Sequence, residues 1–290
     1  GWSALRAARQ LQIPVATGFH TRFDHYMRDY GVRWMQPVAL AWMRRFHNAG
    51  NATLVPTCEL LDFLHGAGFQ YPVRLARAVD SGLFNRQRRD IALRRQLGVA
   101  DDALMVIHVG RIAAEKNLDL AVRAFRAIQR QRADARFVWV GDGPLRASLQ
   151  AGHPDFVFAG IQRGEALACH FASADLFLFP SLSETFGNVT LEALASGVPT
   201  VAFDYGAARE HLSDGMHGRR VDSVAAFIAA SVELATQDRR RTLMGLSAAD
   251  AMLALRPEQV AIDFESILHR LAHQGTTHAP DAFAPSHVHP

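Results

Sequence analysis

Asp175-Leu176-Phe177-Leu178-Phe179-Pro180-Ser181-Leu182-Ser183-Glu184-Thr185-Phe186-Gly187-Asn188 is the stretch on which the reading of this chain turns. Its opening is a short apolar run closed by a proline, which reads as a strand of a parallel sheet buried on both faces. A tight loop over Ser181–Asn188 follows. Val189–Ser196 then has the apolar content of a packed helix, Gly197-Val198-Pro199 stops it, and Thr200-Val201-Ala202-Phe203 is the next strand. Glu184 is thereby placed at the carboxyl end of a strand, and Glu192 about two turns along the helix that leaves it. In open α/β sheets that edge is where ligands bind. Carboxylates accept hydrogen bonds and can bridge vicinal diols, so two of them at one crevice suit a polyhydroxylated ligand.

Working outward, Val106-Ile107-His108-Val109-Gly110-Arg111-Ile112-Ala113-Ala114-Glu115-Lys116-Asn117 repeats the strand, glycine turn and helix opening. Lys116 is the one lysine among 31 basic residues. Arg111 and Lys116 read either as solvated surface cations or as a pair at the positive end of a helix, where free N–H groups favour a diphosphate. The strand–glycine–helix placement favours the second.

Similar βα units recur, with strands near 104–109, 136–140, 156–159, 175–179 and 199–203, and this alternation predicts a parallel, doubly wound sheet. Upstream, a helix opens the chain, a strand runs over Ile13–Ala16 to Gly18-Phe19-His20, and a helix covers about Pro37–Asn48. Ala52–Pro56 and Tyr71–Val79 are strand-like, with a helix over Thr57–Gly66 between them. The domain boundary is expected in the polar stretch near Ser81–Val99, giving a first domain over 1–98 and a second over 99–255. A closing helix over 256–272 and a disordered tail over 273–290 complete the division.

At 290 residues, 49% hydrophobic and 20% charged, the chain has the composition of a globular protein with room for two cores. A net charge of +3 gives no reason to expect a nucleic-acid partner. Cys58 and Cys169 form neither a disulfide framework nor a zinc pattern, which suits a reducing cytoplasm. No apolar run approaches the ~18–20 residues that span a bilayer. The chain enters without an initiator methionine, directly as a helix over Gly1–Arg9.

The segments Gly110-Arg111…Glu115-Lys116-Asn117, Gly141-Asp142-Gly143-Pro144, Val157-Phe158-Ala159-Gly160 and Glu184-x7-Glu192 occur in the order and spacing of retaining glycosyltransferases of family 4, and the chain resembles them up to about Leu271. Gly1-Trp2-Ser3-Ala4-Leu5-Arg6, Phe19-His20-Thr21 with Phe23, Asp24 and Tyr26, and Val79-Asp80-Ser81…Phe84 are similar to a bacterial branch that transfers mannose and related sugars to lipid acceptors. The resemblance implies a GT-B fold, α/β with two doubly wound Rossmann-like domains, of which the first is truncated because its opening βα units are missing. It implies a nucleotide-diphosphate sugar donor, a lipid or glycan acceptor, and no nucleic acid. Arg111 and Lys116 are then expected to hold the diphosphate, Glu192 the ribose hydroxyls, and Glu184 the sugar, with the backbone N–H groups of Phe186, Gly187 and Asn188. Gly110, Gly141, Ile161, Thr185 and Val189 complete the implied donor contacts, and His20 is implied to reach the donor sugar from the first domain.

Other features carry less. Gly141-Asp142-Gly143-Pro144 lacks the third glycine of a dinucleotide fingerprint, since Arg146 occupies that position, so no nicotinamide cofactor is expected. No Asp-x-Asp occurs, and with a cationic pair for the phosphates no metal is expected. His278, His287 and His289 read as part of a solvated tail. In Trp34–Phe46, apolar residues at 35, 38, 39, 42, 43 and 46 fit a core helix, or an interfacial helix ending in Arg44-Arg45 against the inner face of a membrane. A GT-B sugar-nucleotide epimerase and a binding remnant without turnover are the alternatives to a transferase.

Overall fold

In the computed structural model, which describes residues 1–20, 33–182 and 184–274, strands β1 (Ala16–Gly18), β2 (Ala52–Val55) and β3 (Pro72–Arg74) form a parallel sheet in that order. Helices Trp2–Gln10, Gln36–His47 and Cys58–Gly66 accompany it. The Thr57 hydroxyl caps the last of these by accepting from Leu60 N–H at 3.1 Å. Phe19, Met43, Val55, Leu60, Leu64 and Phe69 make its core. The chain folds as two units, Gly1–Arg77 with the segment from Glu258 on, and Ala78–Pro257.

The second unit holds β4 (Met105–Val109), β5 (Arg136–Val140), β6 (Val157–Gly160), β7 (Leu176–Phe179), β8 (Thr200–Phe203) and β9 (Gly218–Val221), in the order β6-β5-β4-β7-β8-β9. All its ladders are parallel. Alternate residues serve two cores. Met105, Ile107, Phe177 and Phe179 face one layer, with Leu191 and Leu194 of helix Asn188–Ala195. Leu104, Val106, Leu176 and Leu178 face the other, with Phe125 of helix Leu118–Gln129 and Phe227 of helix Val224–Thr236. Burial on both faces is why β4, β7 and β8 are apolar runs with buried residues at every position. The strand order reverses between β4 and β7, which puts the switch point beside Gly110 and Pro180.

Two expectations are corrected and one strand is added. The added strand is β9: Gly218-Arg219-Arg220-Val221 is an edge strand, and its arginines pair with Asp204, Asp214 and Glu233 instead of entering a core. The Tyr71–Val79 run forms a ladder only over Pro72–Arg74, opposite Thr53–Val55. The second correction concerns domain limits. Residues 78–98 belong to the second unit, and helix Pro257–Gln274 belongs from Glu258 on to the first, where Ile267 and Leu271 pack with Ala52. Phe23, Asp24, Tyr26 and the tail from residue 275 on lie outside the described residues.

The reason residues 78–98 join the second unit is Arg94. Its side chain is fully buried at the end of helix Ile91–Gln96. It donates to the carbonyls of Ser173 (2.7 Å), Ala100 (3.1 Å) and Ala103 (2.6 Å), and to Asp175 Oδ2 at 3.1 Å. Asp175 also accepts from Arg89 at 2.9 Å and from Met105 N–H at 2.8 Å. A polar stretch that resembles a linker is thus a clamp on the start of β4 and β7. Removing one partner of such a buried pair leaves the other uncompensated. Arg94→Met should lower unfolding free energy by roughly 3 kcal/mol in urea titration; a loss below about 1 kcal/mol would place the pair with surface ion pairs instead.

Candidate functional site

The site grows from the carboxyl ends of β4, β5 and β7. After β4 the backbone turns at Gly110, whose N–H donates to Val140 O at 3.0 Å, and Ile112 N–H donates to Asp142 O at 2.9 Å. Leu145 N–H returns a bond to Ile112 O at 3.1 Å. The Gly141-Asp142-Gly143-Pro144 loop is therefore stitched to the Gly110–Ile112 turn. Gly141 has φ 135°, and a Cβ there would run into the Gly110 carbonyl, so no other residue fits.

Ala114–Lys116 forms a 3-10 turn, and Asn117 in the left-handed region (φ 54°) opens helix Leu118–Gln129. Asparagine tolerates that conformation better than most residues. Its side-chain amide donates to Pro180 O at 3.3 Å, tying the β4 turn to the loop after β7. Lys116 then meets Glu184: Nζ and Oε1 form an ion pair across 68 residues of sequence, with side chains 17% and 19% exposed. Ser181 Oγ donates to the same carboxylate oxygen at 3.0 Å, and the Tyr205 hydroxyl donates to the Glu184 carbonyl.

Beyond Glu184, Phe186 is buried and its carbonyl accepts from Ala207 N–H at 2.7 Å. Gly187 (φ 92°) lets the chain turn into helix Asn188–Ala195 beside the Phe179 ring. Asn188 and Val189 occupy its first turn, and Glu192 its middle. Glu192 is half-buried, and its Oε2 is buried without a hydrogen-bond partner. Desolvation raises its pKa from the ordinary 4.5. A carboxylate kept partly dry and unpaired costs the fold free energy.

The structure thus assembles Gly110, Lys116, Gly141, Glu184, Thr185, Phe186 and Gly187 on turns at one sheet edge, with Asn188, Val189 and Glu192 on the helix that leaves the last of them. Arg111 is on the same turn as Gly110, but its side chain is 64% exposed and pairs with Glu115 at 3.6 Å. Ile161 follows β6 and is 60% exposed. His20 lies in the first unit, at the end of the β1 segment, with Nδ1 3.2 Å from Arg77 Nη2. Sequence reasoning missed Ser181 and Tyr205, whose polar atoms steady the Glu184 segment. A signal existed for Tyr205, which follows β8 at the carboxyl edge of the sheet.

Residues 103–237 match the family described as glycosyl transferases group 1, and residues 1–78 match Glycosyltransferase Family 4. The chain belongs to glycosyltransferase family 4. It is 36% identical over 257 residues to the GDP-mannose-dependent alpha-mannosyltransferase of Mycolicibacterium smegmatis, covering 88% of this chain and 66% of that relative. It is 34% identical over 175 residues to the GDP-mannose-dependent alpha-(1-6)-phosphatidylinositol dimannoside mannosyltransferase of Mycobacterium tuberculosis, covering 58% of this chain and 46% of that one. The chain spans less than two thirds of the length of either. Among solved structures it is similar to Anabaena Alr3699/HepE in complex with UDP and glucose, with a TM-score of 0.74 and 18% identity over 92% of this chain and 74% of the other. At that identity the likeness is one of fold: α/β, parallel sheets, GT-B.

The raised Glu192 pKa has a definite sign. A carboxyl that holds its proton more tightly when folded favours folding at low pH, and this gain is lost as pH rises through the raised value. At neutral pH the buried carboxylate therefore weighs against the fold of this family-4 chain. Glu192→Gln should raise Tm at pH 7, with the difference shrinking toward pH 4, in thermal denaturation followed by circular dichroism. A lower Tm at pH 7 would mean that the carboxylate is satisfied in the free protein.

Proposed function

We propose that this chain is part of a retaining glycosyltransferase that moves a hexose, mannose-like by preference, from a nucleotide-diphosphate sugar to a lipid or glycan acceptor. The observation that carries the reading is the Lys116–Glu184 pair set at the β4/β7 switch point, with the unpartnered Glu192 oxygen on the helix that follows. A cation and two carboxylates on one sheet edge match a ligand made of an anionic diphosphate between two sets of hydroxyls. The relatives' GDP-mannose dependence supports the mannose preference.

In this reading Lys116 and Arg111 exchange Glu184 and Glu115 for the diphosphate. Glu192 accepts from the ribose hydroxyls, which lifts its desolvation cost, and Glu184 accepts from sugar hydroxyls. The bond from the anomeric carbon to the diphosphate breaks with its electron pair passing to the phosphate oxygen, where the two cations stabilise the growing charge. The acceptor oxygen bonds to the same face of that carbon and its proton passes to the leaving phosphate. Neither glutamate is a nucleophile and no metal is needed.

Calorimetry with nucleoside, nucleoside diphosphate and sugar donor tests these roles. Glu192→Ala should weaken all three, and Lys116→Ala the diphosphate and donor more than the nucleoside, each by about 10- to 150-fold. Glu184→Ala should weaken the donor yet spare or tighten the free diphosphate, because Lys116 loses its competing partner. Donor binding should survive EDTA. Equal loss of every ligand in all variants, or binding that requires added magnesium or manganese, would remove the reading.

The acceptor side is argued from the first unit. Helix Gln36–His47 buries Met43 and His47, while Trp34, Val38 and Trp42 are 76%, 62% and 57% exposed. Val38 and Trp42, one turn apart, share an exposed face of this helix, and Trp34 lies in the 3-10 turn Arg33–Met35 that precedes it, so the segment is core on one side and an interfacial candidate on the other. Trp2, Ser3, Arg6, Trp42 and Arg45 line a surface groove beside it. Arg44 is directed elsewhere, donating to Ala67 O at 3.1 Å. No helix among the described residues is long and apolar enough to cross a membrane. We read this face as a peripheral contact with anionic lipid on the inner side of the cytoplasmic membrane. Arg6→Glu/Arg45→Glu should abolish co-sedimentation with anionic vesicles at low salt, where charge is least screened, while Arg44→Gln should not. Wild type that never sediments with such vesicles would end this reading.

A further inference from the structure

His108, the fourth residue of β4, is 1% exposed, and its two ring nitrogens stand in different situations. Nδ1 lies 3.1 Å from Leu178 O. A carbonyl only accepts, so Nδ1 carries the hydrogen and Nε2 is left as an acceptor. That Nε2 is buried without a hydrogen-bond partner. It faces the carboxyl end of the strand, standing 3.8 Å from where a Cβ on Gly110 would be. The Trp139 ring packs beside it, centroids 4.7 Å apart. The bond to Leu178 accounts for Nδ1 alone, and an apolar ring in this place would avoid the desolvation of Nε2. Burial, with the charge of Lys116 acting in the same direction, lowers the pKa of the ring to about 4, so it is neutral at physiological pH.

We propose that His108 is a positioning residue of the diphosphate site, whose Nε2 accepts a hydrogen bond from the Lys116 ammonium when a nucleoside diphosphate is bound. The inference rests on the reading of the donor site given above. An ammonium has three N–H donors, and in the ligand-free chain Glu184 takes one of them. When the diphosphate draws Lys116 off Glu184, a neutral acceptor at the strand end fixes the ammonium without cancelling its charge. A carboxylate in that place would neutralise the lysine and weaken its pull on the phosphates. A protonated imidazole would repel it. A neutral imidazole held in one tautomer by Leu178 does neither.

The first test uses the unmodified chain labelled with 15N-histidine. Saturating GDP, UDP or ADP, whichever binds by calorimetry, should shift the His108 Nε2 resonance, and the matching nucleoside should not. The shift should be absent in Lys116→Ala. The second test is a double-mutant cycle on diphosphate affinity. His108→Phe should lose about 10-fold for the diphosphate and little for the nucleoside. His108→Gln, which keeps an acceptor near the Nε2 position, should recover most of the loss. His108→Phe combined with Lys116→Ala should be no weaker than Lys116→Ala alone. If no nucleoside diphosphate binds the wild type, the site reading falls and this inference with it. If one binds and Nε2 is unmoved, or the two losses add, the role of His108 alone is overturned.

Discussion

Everything at the candidate site depends on the parallel pairing of β4 with β7, Val106 opposite Leu176 and Ile107 opposite Phe177. The two strands are neighbours in space but far apart in the chain, because β5 and β6 extend the sheet one way before β7 returns to the other side of β4. At that reversal the loops leaving the two strands diverge, one toward each layer of helices, and a crevice opens between them. Lys116 arrives on one loop and Glu184 on the other. The Asn117 amide on the Pro180 carbonyl and the Tyr205 hydroxyl on the Glu184 carbonyl then fix the loops to each other and to the end of β8.

In the function proposed above, the charges at this crevice exchange partners when a ligand binds. Lys116 and Glu184 satisfy each other in the free chain, which spares each the desolvation of standing alone at a partly buried position. A ligand that is anionic at its centre and hydroxyl-rich at its ends can replace both partners at once. Glu192 has no such partner, and its raised pKa marks a carboxylate that the fold carries at a disadvantage. Ligand sites are one place where native proteins keep such groups, because a bound molecule restores the missing hydrogen bonds. His108 is the complementary case, a polar ring beneath the site held neutral by burial.

The rest of the second unit keeps the strand ends in register. Arg94, Arg89 and Asp175 lock residues 89–94 to the starts of β4 and β7, at the end of the sheet opposite Lys116 and Glu184. Fixing both starts leaves the carboxyl-end loops as the part of these strands open to variation. The glycine turns at Gly141 and Gly187 add the close backbone approaches that side chains would prevent.

The sequence by itself determined β4 to β8 of the second sheet, because strands in the interior of a sheet read as apolar runs and their helices must carry a 3.6-residue stripe. It also determined that Glu184 and the Gly110–Lys116 turn lie at carboxyl ends of strands, with Glu192 on the helix that follows, since local order alone fixes which end of a strand a loop follows. Tertiary structure decided what local patterns do not encode. The meeting of Lys116 with Glu184 follows from strand order, and strand order is a property of the packed sheet. β9 was illegible because an edge strand needs no apolar run, and its arginines resemble a loop. Arg94 resembles a linker residue until its carbonyl partners, contributed by separate parts of the chain, surround it. The unsatisfied atoms of His108 and Glu192 are the extreme case, for a missing hydrogen bond exists only once every neighbour is in place.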